Sequence, residues 1–178
     1  MSDASAAQEI IGLARRAVEF FVREERLLDV PSSLSATLAR PAACFVSIKT
    51  NGVDLRGCIG TIEPVHKTLA EEIIANAASA ATRDPRFPPV AAAELPFLRY
   101  SVDVLSVPEP AQLEELDPKI YGVIVEDESG LRRGLLLPDL EGVSTVDQQV
   151  SIAARKAGIP TTATLRLFRF RVERFRAD

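Results

Sequence analysis

The sequence predicts an α+β protein in two layers, with antiparallel-rich sheets that carry helices on one face. Three segments have apolar residues at the 3.6-residue spacing of amphipathic helices. Two further regions read as hairpins of extended segments joined by short turns. Helices and hairpins follow one another in the order α, ββ, α, β, ββ, α, β, which is typical of antiparallel sheets covered by helices.

The three helices are marked by different signals. Residues 6–25 place apolar side chains on one stripe and charged ones elsewhere. Residues 67–82 repeat this pattern and must end before the proline-rich segment 84–89, because a residue that precedes proline is pushed out of the α region. The third helix begins at Thr145, which has the capping-box spacing to Gln148, and it ends before Gly158.

The first hairpin is centred on Asn51-Gly52, a dipeptide that favours a two-residue type I′ turn. Such a turn places Ser47 opposite Arg56 and Phe45 opposite Cys58. Alternation then predicts a core face and a polar face. The core face is Cys44, Val46, Ile48, Leu55 and Ile59, and the polar face is Phe45, Ser47, Lys49, Asp54, Arg56 and Cys58. The two cysteines point to opposite faces, so no disulfide is expected.

The C-terminal half is predicted to be mainly extended. Residues 99–107 form one strand, and 121–126 and 131–137 form the second hairpin, with 121–126 central because it is apolar on both sides. The apolar residues of 164–175 change phase, which predicts a bulge or bend. We expect a single domain, 1–178, with a subdomain of residues 40–107 inserted between 1–39 and 108–178.

Composition excludes several classes of protein. The 178 residues are 47% hydrophobic and 26% charged, which is globular composition. A net charge of −4 disfavours nucleic-acid binding. With one His and two Cys, a site of several His or Cys ligands is excluded, and we expect neither metal nor cofactor. The N-terminal residues lack a signal-peptide pattern and no apolar run is long enough for a membrane span, so we expect a cytoplasmic protein that does not contact membranes.

Three short motifs resemble one known family. They are Leu55-Arg56-Gly57-Cys58-Ile59-Gly60 (LRGCIG), Asp84-Pro85-Arg86-Phe87-Pro88-Pro89, and Arg133-Gly134-Leu135-Leu136-Leu137-Pro138. They resemble the AMMECR domain family, closest to its short prokaryotic form, AmmeMemoRadiSam system protein A. The resemblance implies an α+β fold of two subdomains with a groove between them, and Memo-like and radical-SAM proteins as partners. It does not imply a reaction.

The hairpin and the 84–89 segment supply the candidate site. We expect them to bind a small anionic ligand or a partner segment in the groove, as an accessory to a Memo/radical-SAM-type modification system. Arg56 and Arg86 are the cations, and glycines allow close approach of a ligand. The ligand-binding candidates are Ser47, Arg56, Gly57, Gly60, Glu63, Asp84, Arg86 and Phe87.

Two alternatives remain. In the first, the chain is an enzyme in which Cys58 is a thiolate nucleophile supported by Arg56, since a nearby cation favours the thiolate; packing of Cys58 on Phe45 is the structural interpretation of the same residue. In the second, the arginines and phenylalanines of residues 166–174 bind RNA. Glu63 is either an acid of the site or a cap of the second helix.

Overall fold

The computed structural model describes residues 3–51 and 54–176, which form two compact units. The first contains the residues up to Val104 and those from Arg174 onward, and the second spans Leu105–Glu173. In chain order the elements are α1 (Asp3–Glu24), α2 (Ala36–Ala39), β1 (Cys44–Thr50), β2 (Asp54–Gly60), α3 (Leu69–Thr82), β3 (Leu98–Leu105), β4 (Glu109–Pro110), β5 (Gly122–Asp127), β6 (Arg133–Leu136), α4 (Val146–Lys156), β7 (Leu165–Phe170) and β8 (Val172–Arg176). Short 3-10 helices span Ala92–Phe97 and Leu113–Glu115.

The first unit is a four-stranded sheet in the order β2-β1-β3-β8, packed on α1 and α3. The two helices share one core with the inward-facing residues of β1 and β3. Helix α3 begins at Leu69 because Thr68 and Glu71 form a capping box. Its end at Thr82 confirms the predicted stop before the 84–89 segment. The predicted α+β class, with antiparallel sheets and helices, is confirmed.

The register of the first hairpin differs from the predicted one. Thr50 pairs with Asp54 rather than Val53, and a shift between Ile48 and Lys49 accommodates one extra residue of β2. Ser47 therefore lies opposite Cys58, not opposite Arg56. The predicted type I′ turn includes Gly52, which lies outside the described residues.

The core face of this hairpin was predicted correctly except at one position. Cys44, Val46 and Ile48 are fully buried and Ile59 packs against the core. Leu55 instead is 38% exposed. The irregular register pairs it with Lys49 rather than with the buried Ile48. Gly57 occupies the core-facing position opposite Ile48.

The second unit is a four-stranded sheet in the order β4-β7-β5-β6 with α4 packed on it. Strand β5 is central and its first four residues are buried, as predicted. Thr145 and Gln148 form the predicted capping box at the start of α4, and Gly158 has the positive φ of 65° that ends a helix. Strand β4 forms the edge of the sheet beside β7.

The division of the chain differs from the expected subdomains of 40–107 and 1–39 plus 108–178. Helix α1 belongs to the first unit, because its apolar stripe packs on α3 and on the sheet of β1. The predicted bend in the last extended run is confirmed, since β7 ends at Phe170 and β8 starts at Val172. The two strands enter different sheets, so the C-terminal residues return to the first unit.

Candidate functional site

Asp84 connects the loop of residues 84–89 to the edge of the first sheet. Strand β2 is an edge strand, and the backbone N–H of Cys58 donates to Asp84 Oδ2 at 2.8 Å. An unpaired N–H at a sheet edge is a template for pairing with another strand. The Asp84 side chain, 2% exposed, satisfies this group and anchors the loop along β2.

Asp84 also orients Arg86. Arg86 Nε donates to Oδ1 at 2.9 Å and Nη2 to Oδ2 at 2.7 Å, a bidentate pair. These hydrogen bonds hold the pKa of Asp84 well below its usual range, and the N–H of Cys58 adds to the effect. Asp84 is therefore a carboxylate at neutral pH. The Arg86 side chain remains 55% exposed, so the pair presents a fixed guanidinium at the surface.

Arg56 is held by other groups and is 12% exposed. Its Nε and Nη2 donate to the two carboxylate oxygens of Glu94 at 2.7 and 2.9 Å, and it also donates to the carbonyls of Pro88 and Pro89. The pair with Arg56 lowers the pKa of Glu94. Arg56 thus fastens the end of the 84–89 loop to β2, which differs from the free groove cation that the sequence suggested.

The two glycines of the LRGCIG motif are required by close packing. A Cβ at Gly57 would lie 2.1 Å from the carbonyl oxygen of Ala80 in α3. A Cβ at Gly60 would lie 2.3 Å from the ring of Phe45, which it faces across the strands. In this structure the missing side chains of Gly57 and Gly60 allow α3 and the ring of Phe45, rather than a ligand, to lie close to the backbone of β2.

The thiol of Cys58 is half-buried and partnered. The Ser47 hydroxyl donates to Cys58 Sγ at 3.1 Å, from the position directly opposite on β1. Burial raises the pKa of the Cys58 thiol above its usual value, and the hydrogen bond from Ser47 and the charge of Arg86 offset this in part. The nearby cation is Arg86, not Arg56. The thiol is therefore protonated at neutral pH, which does not favour a thiolate nucleophile.

A polar face covers the side of this sheet opposite to the core. Residues directly opposite in neighbouring antiparallel strands point to the same side. Ser47 pairs with Ser101, Lys49 with Arg99, and Phe45 with Asp103. We call the polar face the set Ser47, Lys49, Cys58, Arg99, Ser101 and Asp103.

Charges on the polar face are distributed unevenly. Asp103 is paired with Arg174 of β8 at 2.9 Å. Lys49 and Arg99 lie directly opposite each other, and among residues 3–51 and 54–176 neither has a carboxylate partner. Like charges in opposite positions are unfavourable unless an anion lies between them. Arg86, whose charge acts on Cys58, adds a third cation beside this surface.

Other predicted site residues lie around this centre. Phe87 packs beside both arginines, with its ring centroid 5.5 Å from Arg86 Cζ and 6.0 Å from Arg56 Cζ. Glu63 is exposed and does not cap α3, since Thr68 performs that role. In the part of the chain that the structure describes, no group of three potential metal ligands occurs.

The arginines of the second unit are mostly engaged. Glu126 binds Arg166 at 2.6 Å and lies 3.5 Å from Arg133, while Glu109 binds Arg169 at 2.8 Å. Phe170 is buried in the unit. This arrangement has one polar and one buried side, as alternation along a strand predicts, and the pairing of these arginines with carboxylates does not favour RNA binding.

Sequence reasoning missed two elements of the site and one buried acid elsewhere in the first unit. Glu94 receives Arg56 from 38 residues away, and no local pattern indicates such a pair. Lys49 and Arg99 lie opposite each other because β1 pairs with β3. The alternation in residues 99–107 indicates a strand there, but it does not indicate which strand is its partner. Glu72, which is buried in α3 and accepts from the backbone of Val65 and His66, reads from the sequence as a surface residue.

Comparisons with known proteins match nearly the whole chain. The AMMECR1 family model matches residues 11–177. A protein of Thermotoga maritima is 49% identical over 166 residues, covering 92% of this chain and 94% of that one. A protein of Clostridium acetobutylicum is 46% identical, over 92% of this chain but 35% of its own length.

The fold is also similar to a solved structure. The crystal structure of an uncharacterized protein from Pyrococcus horikoshii matches with a TM-score of 0.85 at 29% identity. The match covers 94% of this chain and 89% of that one. Within residues 3–51 and 54–176, none of the helices combines the length and apolar character needed to cross a bilayer.

Proposed function

We propose that this chain, which belongs to the AMMECR1 family, is a binding protein that takes an anionic group on the polar face. The ligand is a small anion or an acidic segment of a partner. The observation that carries this proposal is the pair of Lys49 and Arg99, directly opposite each other and without a carboxylate partner among the described residues.

The surroundings of this pair suit an anion. Ser47 and Ser101 lie two residues from Lys49 and Arg99 on the same two strands, and both serines are half-buried. Their hydroxyls are therefore available as hydrogen-bond donors in a partly desolvated position. Arg86 is held rigid by Asp84, and a guanidinium that is fixed before binding loses less conformational freedom when it binds.

The signature residues support this role indirectly. Arg56, Asp84 and the motif glycines fasten the 84–89 loop and α3 to β2, and thereby hold Arg86 beside Cys58. The role proposed for these motif residues is to position the edge of a binding surface, and not to supply a catalytic group. Burial raises the pKa of the Cys58 thiol, which does not favour its reaction as a thiolate nucleophile. We therefore propose no enzymatic step.

The finer parts of the function rest on the resemblance. We propose that the chain acts in the cytoplasm as an accessory of a modification system that contains a Memo-like and a radical-SAM protein. An acidic segment of one of these partners would occupy the polar face. Attraction between surface charges falls as salt is added, so the association is expected to weaken with ionic strength.

The proposal is tested by titrating the ¹⁵N-labelled chain with inorganic phosphate and, separately, with a hexaglutamate peptide. We expect amide shifts concentrated at residues 47–49 and 99–101, and their loss in Lys49→Ala/Arg99→Ala. Lys67→Ala, which removes an exposed cation from a loop of the same unit, is the matched control. Absence of shifts with both probes, or equal shifts in the double variant, contradicts anion binding.

The partner proposal needs its own measurement. The immobilised chain and the double variant are compared for retention of a purified Memo-like and a purified radical-SAM protein from the same organism. We expect retention of at least one partner by the wild-type chain, with loss in the variant. Retention of neither protein, or equal retention by both chains, contradicts the assignment of the polar face to these partners.

A further inference from the structure

A cavity of about 520 Å³ opens on the surface of the second unit. It is bounded by the C-terminal half of α4, the turn that follows it and the first residue of β7. Ligand sites for small molecules are concave, of roughly 300–1,000 Å³, and mainly apolar with a few polar groups. The volume of this cavity falls within that range.

The walls of the cavity are predominantly apolar. Val150 and Ala154 contribute from one face of α4, Ile159 and Pro160 from the turn, and Leu165 from β7. Ala154 and Leu165 also pack on the core of the unit, so part of the cavity wall is continuous with that core. A short aliphatic chain suits these walls, because its burial removes apolar surface from water on both sides.

The lining of the cavity also contains polar side chains and a cation. Ser151 and Thr161 line it together with Arg155, the charged member of the lining. The Arg155 side chain makes no hydrogen bond or ion pair with any residue in 3–51 or 54–176. Its guanidinium is therefore available to a ligand.

The end of α4 does not compete for this cation. The carbonyls of Ala153, Ala154 and Arg155 already accept hydrogen bonds from the N–H groups of residues 157–159. These bonds close the helix and satisfy acceptors that would otherwise attract a cation. The positive charge of the Arg155 guanidinium therefore favours a ligand that carries a negative charge.

We propose that the second unit binds a small aliphatic carboxylate in this cavity, with its chain against Val150, Ala154 and Leu165 and its carboxylate on Arg155. This site lies wholly within residues 150–165 and does not depend on the anion site proposed for the first unit.

The test is calorimetric titration of the full chain with octanoate and with octanol. We expect saturable 1:1 binding of octanoate and weaker binding of octanol. An exposed charge pair contributes up to about 1 kcal/mol, so Arg155→Ala should weaken octanoate binding roughly three- to fivefold and leave octanol unchanged. Lys119→Ala, an exposed cation of the same unit outside the cavity, should bind both as the wild type does.

Filling the cavity gives an independent result. Ala154→Phe places a ring in the space and should abolish binding of both compounds. Should that variant fail to fold, Ser151→Phe, at an exposed position on the rim, replaces it. Absence of saturable octanoate binding, wild-type affinity in the filled variant, or equal affinity in Arg155→Ala overturns the proposal.

Discussion

The backbone N–H of Cys58 donates to the carboxylate of Asp84 at 2.8 Å, so a residue of the 84–89 loop completes the edge of the sheet that β2 begins. The two residues are 26 positions apart in the sequence. The contact explains why two separate motifs, one in a strand and one in a loop, occur together: each satisfies groups that the other leaves without partners.

Replacing Asp84 tests this relationship. Asp84→Asn keeps the shape but loses the charge-assisted bonds to Arg86, and hydrogen bonds to charged groups are worth about 1.5–3 kcal/mol each. Because Arg86 is largely exposed, we expect a loss near the lower value, about 1.5 kcal/mol, in urea denaturation. Asp29→Asn, in an exposed pair with Arg26, is the control, and an equal loss there would contradict a special role of Asp84.

Stability should also depend on pH through Asp84. Its pKa is lower in the folded chain than the ordinary value of 3.8, so the folded state binds the proton less readily than the unfolded state. The contribution is complete above pH 3.8 and decreases as the pH falls towards the folded value. Denaturation midpoints measured between pH 2.5 and 6 should fall less steeply below pH 4 in Asp84→Asn than in wild type. Parallel curves would rule out this linkage.

Arg56 should resist its conservative replacement. Lysine keeps the charge but cannot form the bidentate bonds to Glu94 while also reaching the proline carbonyls. We expect Arg56→Lys to cost about 1–2 kcal/mol of unfolding free energy. Arg15→Lys, in an exposed pair with Glu19 on α1, should cost less than about 0.5 kcal/mol. Similar losses at the two positions would show that the fork geometry of Arg56 is unimportant.

Two glycines should respond in opposite directions to the same change. Gly57→Ala places a methyl group 2.1 Å from the Ala80 carbonyl oxygen, and overpacking of this kind costs about 1–3 kcal/mol. Gly12→Ala, inside α1 with nothing within 4 Å of its Cβ, should stabilise by about 0.5–1 kcal/mol. Thermal unfolding of the two variants measures both effects, and stabilisation by Gly57→Ala would be inconsistent with the close approach of α3.

The thiol of Cys58 should react slowly at neutral pH. Its pKa is raised by burial, so the rate of alkylation by iodoacetamide should reach half its maximum at a pH above 9. Cys44, fully buried and with its pKa raised to about 12, should not react in the folded chain, and Cys44→Ala serves as the control. A half-maximal rate near pH 7 would restore Cys58 as a candidate nucleophile.

Local patterns predicted much of the fold. The apolar stripe of α1, the capping box at Thr145 and Gln148, and the change of phase before β8 each correspond to an observed feature. These features depend on residues within a few positions of one another, and the physics that produces them acts over that range. The family resemblance, carried by continuous motifs, was equally accessible.

The candidate site was predicted in composition but not in geometry. Cys58, Asp84 and Arg86 do lie together, whereas Arg56 turns to Glu94. The pairing of Thr50 with Asp54 instead of Val53 and the irregularity between Ile48 and Lys49 each shift the register by one residue, and together they place Ser47 opposite Cys58 instead of Arg56. A one-residue change in register reassigns every cross-strand neighbour, and the turn dipeptide alone does not reveal such a shift.

The sequence by itself therefore determined the α+β class, the ends of the main helices and the family, because these follow from periodicity, capping and contiguous motifs. The tertiary structure decided that α1 belongs with α3, that Asp84 completes the edge of β2, and that Lys49 lies opposite Arg99. Such contacts join residues tens of positions apart, and they form only where packing of the whole unit brings the strands and the loop together.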